Sequence, residues 1–406
     1  MTDVQDAHVR PNEENVQGNR RVPHPNPQTA LPLEQEEHPE ALRDVPALLE
    51  PADAGFVRGD EILRIGETPE TLAPVADAIA ADAANHTNTL GAMFGPSAEG
   101  VVRSIEVRTA AGATQVRTMT KRVYGLDPVP AVDGAQRWRI VERNGKKLGY
   151  VALRTFVTTA EADLQAAFAA FRAAGVTDVA VDLRYNGGGL IATGELLANL
   201  LGGGLAGDEM VQWTNSSLRA VNDVSDLFGD PAATPRVDLA NAIVATRVAF
   251  ITTGASASAS EMVPNVLEPW RPVALVGART YGKPVGQRGF RLRSQCDAVL
   301  YLVSFKLENA QGDAGYYEGL PDVPLQGPPA FSGPLCDAED DLGHALGDPA
   351  EASTEAALTW LETGGCPGTP VAKAGAAGAL RAASGPDLYP EAPAPTDAQR
   401  HVRGLF

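Results

Sequence analysis

No apolar run in this sequence approaches the roughly eighteen residues that a membrane span requires. The amino-terminal stretch MTDVQDAHVRPNEENVQGNRR has no apolar segment, so no secretory leader is visible in it. Basic charge is scarce: 33 Lys and Arg stand against 51 Asp and Glu, a formal net charge of −18. That balance argues against a nucleic-acid partner and against docking on anionic lipid, since both need a basic surface. Only three cysteines occur, Cys296, Cys336 and Cys366. They lack close Cys-x-x-Cys spacing and a histidine placed to complete a zinc site, so no metal or other cofactor is expected. Cys296 and Cys336 flank the last strands and are candidates for pairing in an oxidising compartment. Cysteine usage by itself does not fix that compartment.

Histidine is the most telling absence. All six (His8, His24, His38, His86, His344 and His401) lie outside 140–305. The stretch richest in motifs therefore has no imidazole of its own, which argues against a Ser-His-Asp triad. A nucleophilic serine there needs another proton acceptor. Lysine serves when burial lowers its pKa towards the working pH.

What is present reads as a globular protein, with 44% hydrophobic and 21% charged residues and length enough for two or three domains. Residues 1–45, rich in Pro, Gln, Asn and Glu, read as a disordered lead. A small α+β module is expected over 46–125. PADAGFVRGDEILRIGETP gives turns and an alternating strand, TLAPVADAIAADAA a helix, and SIEVRTAAGATQVRTMTKR a hairpin. The main domain is expected over 136–330, where strand and helix patterns alternate and imply an α/β sheet covered by helices. A helical segment over 331–366, with DLGHALGDPAEASTEAALTWLETG as a late helix, and a loose Ala/Gly/Pro-rich tail over 367–406 complete the chain.

Three segments of the main domain carry chemistry. In TGASASASEM (253–262) a strand ends, Gly254 turns the chain, and small residues lead into a helix. A serine at such a junction sits at the positive end of the helix dipole, beside backbone N–H groups able to stabilise an oxyanion. Ser258-x-x-Glu261 also matches a capping box, which needs no chemistry, and the local pattern alone favours capping. In TYGKPVGQ, strand alternation would put Lys283 and Gln287 on one face. A lone lysine beside glycine is ordinarily a solvated charge; one flanked by Tyr281 and Val285 and sharing a face with a glutamine is less ordinary. In DLRYNGGGL, three glycines after a buried strand make at least a tight turn and could offer a backbone donor.

Together and in this order, VDLRYNGGGL, GASASASEM and VGARTYGKPVGQ resemble the C-terminal processing peptidases, the tail-specific or tricorn-type serine peptidases, across about 140–325. GLPD (319–322) resembles that family's G-x-x-P-D motif, and ADAGFVRGDEILRIGETP resembles part of its PDZ domain. The resemblance implies a Clp protease/crotonase-like β-β-α core preceded by a PDZ-like module. It implies Ser258 as nucleophile, Lys283 as base, Gln287 orienting that lysine, and the N–H groups of Gly188 and Ala259 as oxyanion donors. Ser256 and Ser260 would then be structural. Substrates would be polypeptides, unfolded or with exposed carboxyl termini, and no cofactor would be needed. The sequence departs from the family where Gly187 replaces a proline and where Glu268-Pro269 stands near an expected aspartate. The apolar strand and carboxylate-binding loop of a PDZ domain are not recognisable in 1–48. Many relatives are exported. Two other readings on the same fold are a catalytically silent peptide- or lipophile-binding protein and a crotonase-like acyl-CoA enzyme. Neither needs Ser258, Lys283, Gln287 and the glycine turn together.

Overall fold

The computed structural model describes residues 55–368, apart from 86, 110, 124–126, 133, 217–219, 221, 294–295 and 322–330. The expected lead and most of the expected tail lie outside these. The first module contains β1 (Glu61–Gly66), β2 (Ala73–Pro74), α1 (Val75–Asn85), α2 (Thr89–Met93), β3 (Val102–Arg108) and β4 (Thr114–Thr120). Its antiparallel sheet runs β2-β1-β3-β4 and closes on Ile65, Ile105, Val107 and Met119. This core is small because α1 is rich in alanine and buries only Ala78.

The larger sheet follows from β5 (Trp138–Arg143), β6 (Lys146–Ala152), α3 (Glu161–Ala174), β7 (Asp178–Asp182) and α4 (Ile191–Leu201). After β8 (Glu209–Asn215) and β9 (Val224–Leu227), the chain returns to it through β10 (Arg247–Thr252), α5 (Ala259–Leu267) and β11 (Val273–Gly277). It then forms a hairpin of β12 (Val285–Arg293) and β13 (Cys296–Glu308), and ends in β14 (Leu335–Asp337) and α6 (Ala352–Thr363). The six-stranded order is β14-β11-β10-β7-β6-β5, parallel from β14 through β6, with β5 antiparallel at one edge. The sheet therefore runs past residue 330 to take in β14.

Strands β7 and β11 are buried at every residue, as parallel strands covered on both faces must be. On one face α3 presents Leu164, Ala167, Phe168 and Phe171, all at 0% exposure, to a core shared with α4 and α5. Fully burying each of the larger of these side chains contributes roughly 1.5–3 kcal/mol. On the other face α6 supplies Ala357, Leu358, Trp360 and Leu361 to a second core with Tyr150, Ile251 and Val276. A second sheet, β12-β13-β8-β9, leans on the first core through Phe305, Leu307, Met210 and Val211.

Cys336 of β14 is bonded to Cys366, just beyond α6, across a sequence separation of 30. This overturns the expected Cys296–Cys336 pairing: α6 folds back on the sheet and brings its own end, not the β13 hairpin, to β14. No described helix is long and apolar enough to cross a membrane, and no described cluster of His, Cys, Asp or Glu is arranged to hold a metal.

Candidate active site

The three motif segments meet because of strand order. Strands β7, β10 and β11 are parallel neighbours, so the loops at their carboxyl ends emerge side by side, where open α/β sheets place their sites. DLRYNGGGL leaves β7, TGASASASEM leaves β10, and GARTYGKPVGQ leaves β11.

The three alternating serines are not equivalent. Ser256 Oγ donates to the Leu183 carbonyl at 2.7 Å and accepts from Thr253 N at 3.0 Å. Ser260 Oγ donates to the Asn186 carbonyl at 2.8 Å. Both are fully buried and stitch the β10 turn to the β7 turn. Ser258 is half-buried, and its side chain makes no cap bond to the helix it precedes. It adopts φ 58° and ψ −116°, a left-handed conformation that costs a non-glycine residue of the order of 1–3 kcal/mol and recurs at nucleophile turns.

Ser258 and Glu261 nevertheless stand in capping-box arrangement, and the Glu261 half reaches beyond the cap. Glu261, at 0% exposure, accepts from Ser258 N at 2.9 Å and from Lys283 N at 2.8 Å on the same oxygen, Oε2. Its Oε1 accepts from Thr280 Oγ1 and Gly282 N, both at 2.6 Å. One buried carboxylate thus ties the backbone of Ser258 to that of Lys283. Thr280 is held in turn by Leu320, whose N–H donates to its Oγ1 at 2.7 Å. Asp322 of the GLPD stretch lies outside the described residues.

Electrostatics at this junction oppose each other. Burial pushes the Glu261 carboxyl above its ordinary value, against the four bonds that favour its charge. Burial lowers the Lys283 amine, against the attraction of Glu261, which raises it. The amine is thereby drawn towards the neutral form that a proton acceptor requires.

The glycine turn lies directly against Ser258. Gly188 has φ 104°, and a Cβ on it would fall 2.8 Å from both Ser258 Cβ and the Ala257 carbonyl oxygen. No side chain fits there. Its N–H donates to Asn186 Oδ1 at 2.9 Å. Ala259 opens α5, so its N–H is one of the first-turn donors that lack an intrahelical acceptor. Lys283 lies just before β12, and a register shift separates Gly286 from Gln287. The extra residue at that shift, Ser304, belongs to β13, so β12 itself runs without interruption through Gln287.

Behind the turn stands a charged cluster that sequence reasoning missed. Arg184, 4% exposed, donates to Asp182 (2.7 Å), Glu351 (2.8 and 3.0 Å) and Asp340 (2.9 Å). Burial works against the Arg184 charge, yet Asp182 and Glu351 outweigh it and hold the guanidinium firmly protonated. Tyr150 also donates to Asp182, at 2.6 Å. Asp340 additionally binds Tyr185 Oη and Arg58, and Arg58 belongs to the first module. The D-L-R-x-N signature was the available signal, but its acidic partners come from more than 150 residues downstream.

Residues 147–323 match the family model described as Peptidase family S41. A C-terminal processing peptidase from the chloroplast of Tetradesmus obliquus is 32% identical over 140 residues, 34% of this chain and 26% of that protein. A carboxyl-terminal-processing protease from Picosynechococcus is 29% identical over 180 residues, 44% of this chain and 38% of that one. The chain thus spans well under half the length of these two relatives. A crystal structure from Bacteroides fragilis assigned to the S41 proteases shares the fold, with a TM-score of 0.56 at 23% identity, covering 77% of this chain and 75% of that one.

Proposed function

We propose that the protein is a serine endopeptidase of the carboxyl-terminal-processing type, working through Ser258 and Lys283, on the footing that residues 147–323 match the model of peptidase family S41. The observation that carries this reading is the pair of hydrogen bonds that Glu261 Oε2 accepts from Ser258 N and Lys283 N, which keeps the hydroxyl-bearing and amine-bearing residues together. One further fact supports it: the Lys283 amine is biased towards neutrality by burial.

In the proposed reaction, neutral Lys283 takes the Ser258 proton as Oγ attacks the carbonyl carbon of an extended polypeptide. The C=O π pair moves onto oxygen, and the oxyanion is met by the N–H groups of Ala259 and Gly188. At Gly188 the oxyanion takes the place of the Asn186 carboxamide oxygen that now accepts this N–H. The Lys283 ammonium returns its proton to the leaving amine, giving an acyl-enzyme on Ser258. Water then attacks that ester, Lys283 takes its proton and hands it to the departing Ser258 Oγ, and the new carboxyl terminus leaves with hydroxyl and amine regenerated. Gln287 orients the amine, and the β1–β4 module selects the polypeptide.

The test is cleavage of casein and of a carboxyl-terminally tagged peptide by Ser258→Ala and Lys283→Ala. Both variants should lose at least about 10³-fold in kcat, as removal of nucleophile or base does elsewhere. Parent-like rates from both would remove the dyad. Absence of Ser258 labelling by a fluorophosphonate would favour the catalytically silent binding protein.

A further inference from the structure

Strand β12 starts two residues after Lys283, contains Gln287, and runs on as one side of a hairpin with β13. This hairpin outgrows its own sheet. Strand β13 pairs with β8 only over Phe305–Glu308, whereas it pairs with β12 from Lys306 back to Cys296. Over most of its length the hairpin is a two-stranded ribbon, and among the described residues nothing pairs with the outer edge of β12. A ribbon of this kind is marginal in water unless something covers it.

Its exposed side chains are apolar. Val303 is 60% exposed, Leu302 46%, Tyr301 43%, Leu300 42% and Phe290 47%. Register assigns them to faces: Gln287 lies opposite Val303 and Gly289 opposite Tyr301, while Phe290 lies opposite Leu300 and Arg288 opposite Leu302. Val303 and Tyr301 therefore share the face of Gln287. Gly289 offers no side chain of its own, and a Cβ there would sit 3.0 Å from Tyr301 Cε1, so the tyrosine ring covers this strand up to its edge. The result is an apolar shelf, continuous with the Lys283–Gln287 stretch, alongside unpaired backbone donors and acceptors.

From this, the geometry points to the outer edge of β12 as the acceptor strand for the polypeptide substrate. An extended, apolar segment adds to β12 by main-chain hydrogen bonds and rests side chains on Tyr301 and Val303. The nine residues of β12 offer about 27–30 Å of edge leading from the site. This rests on the peptidase reading, and it specifies the substrate as unfolded chain long enough to reach both the ribbon and Ser258.

The experiment uses the full chain carrying Ser258→Ala, so that bound polypeptide is not cut. The probe is fluorescein-labelled, reduced and carboxymethylated lactalbumin, followed by polarisation. Adding Tyr301→Ser with Val303→Ser should weaken binding about tenfold, as expected for loss of two partly covered apolar contacts. Phe290→Ser with Leu302→Ser, on the opposite face, should change it less than about twofold. With Ser258 intact, Tyr301→Ser with Val303→Ser should raise KM for casein by a similar factor and leave kcat and fluorophosphonate labelling unchanged. Equal binding by parent and Tyr301/Val303 variant overturns the acceptor edge, as does equal weakening by both pairs. So does a parent dimer, seen by light scattering, that the Tyr301/Val303 pair dissociates without changing polypeptide affinity. If ribbon-dependent binding is found but the parent neither cleaves casein nor takes the label, the acceptor edge stands and the peptidase reading falls.

Discussion

Replacing Glu261 by glutamine tests the junction most directly. The carboxylate accepts four hydrogen bonds, two on each oxygen. A carboxamide of the same shape accepts on one oxygen only and turns an NH2 towards the other pair of donors. Two donors inside a fully buried site then lose their acceptor, at about 1–3 kcal/mol each. Stability should fall by roughly 2–6 kcal/mol, and Tm by about 10 °C, read by calorimetry. Because Ser258 and Lys283 are tied through this group, kcat/KM should fall by about 10²-fold or more, the cost of a displacement near 1 Å. The pH profile separates this from general loosening. Burial lowers Lys283 and the Glu261 charge raises it, so deleting the charge leaves burial unopposed. The acidic limb of kcat/KM, which reports the neutral amine, should therefore move to lower pH in Glu261→Gln. Glu261→Asp, which keeps the charge but loses reach, should lose rate with little movement of that limb. An acidic limb that stays put or rises in Glu261→Gln, or a parent-like kcat/KM, would refute the reasoning.

Three further outcomes follow from the same geometry. Gly188→Ala should abolish casein cleavage, because its Cβ would fall 2.8 Å from Ser258 Cβ and from a backbone oxygen at a φ of 104°. Lys283→Met should melt at a higher temperature than the parent. The folded pKa is depressed, so the folded chain binds fewer protons than the unfolded one between that pKa and the ordinary 10.5; the methionine advantage is full below the folded pKa and disappears as pH rises past 10.5. Reducing the Cys336–Cys366 bond should cost about 3–4 kcal/mol by the chain-entropy relation for a separation of 30, seen as a lower denaturation midpoint in dithiothreitol.

Much of the fold was legible because its signals are local. Apolar periodicity marked α3, alternation marked β3 and β4, and the glycine and serine turns marked where β7 and β10 end. Their meeting was legible only through the family resemblance, since sheet order is not written in any one segment. What escaped depends on distant partners. Strand β8 finds β13 some 90 residues later, and β14 is three residues long, too short to carry a period. The late helix was drawn too long: DLGHALGDP makes turns, and α6 opens only where Glu351 accepts from Ser353 N and Thr354 N. Glu261 was visible as a cap, but its hold on Thr280, Gly282 and Lys283 crosses two loops. Lys283 precedes the first residue of β12, so strand alternation does not by itself fix which face its side chain shares with Gln287.

The bond between Cys336 and Cys366 closes a covalent ring, and both Asp340 and Glu351 lie within it. These are two of the three acids that grip Arg184, the residue two positions before Asn186 and four before Gly188. Opening the ring gives both acids a longer tether while Asp182 keeps its hold, so sulphurs at the β14 edge of the sheet share in fixing the arginine that precedes the glycine turn.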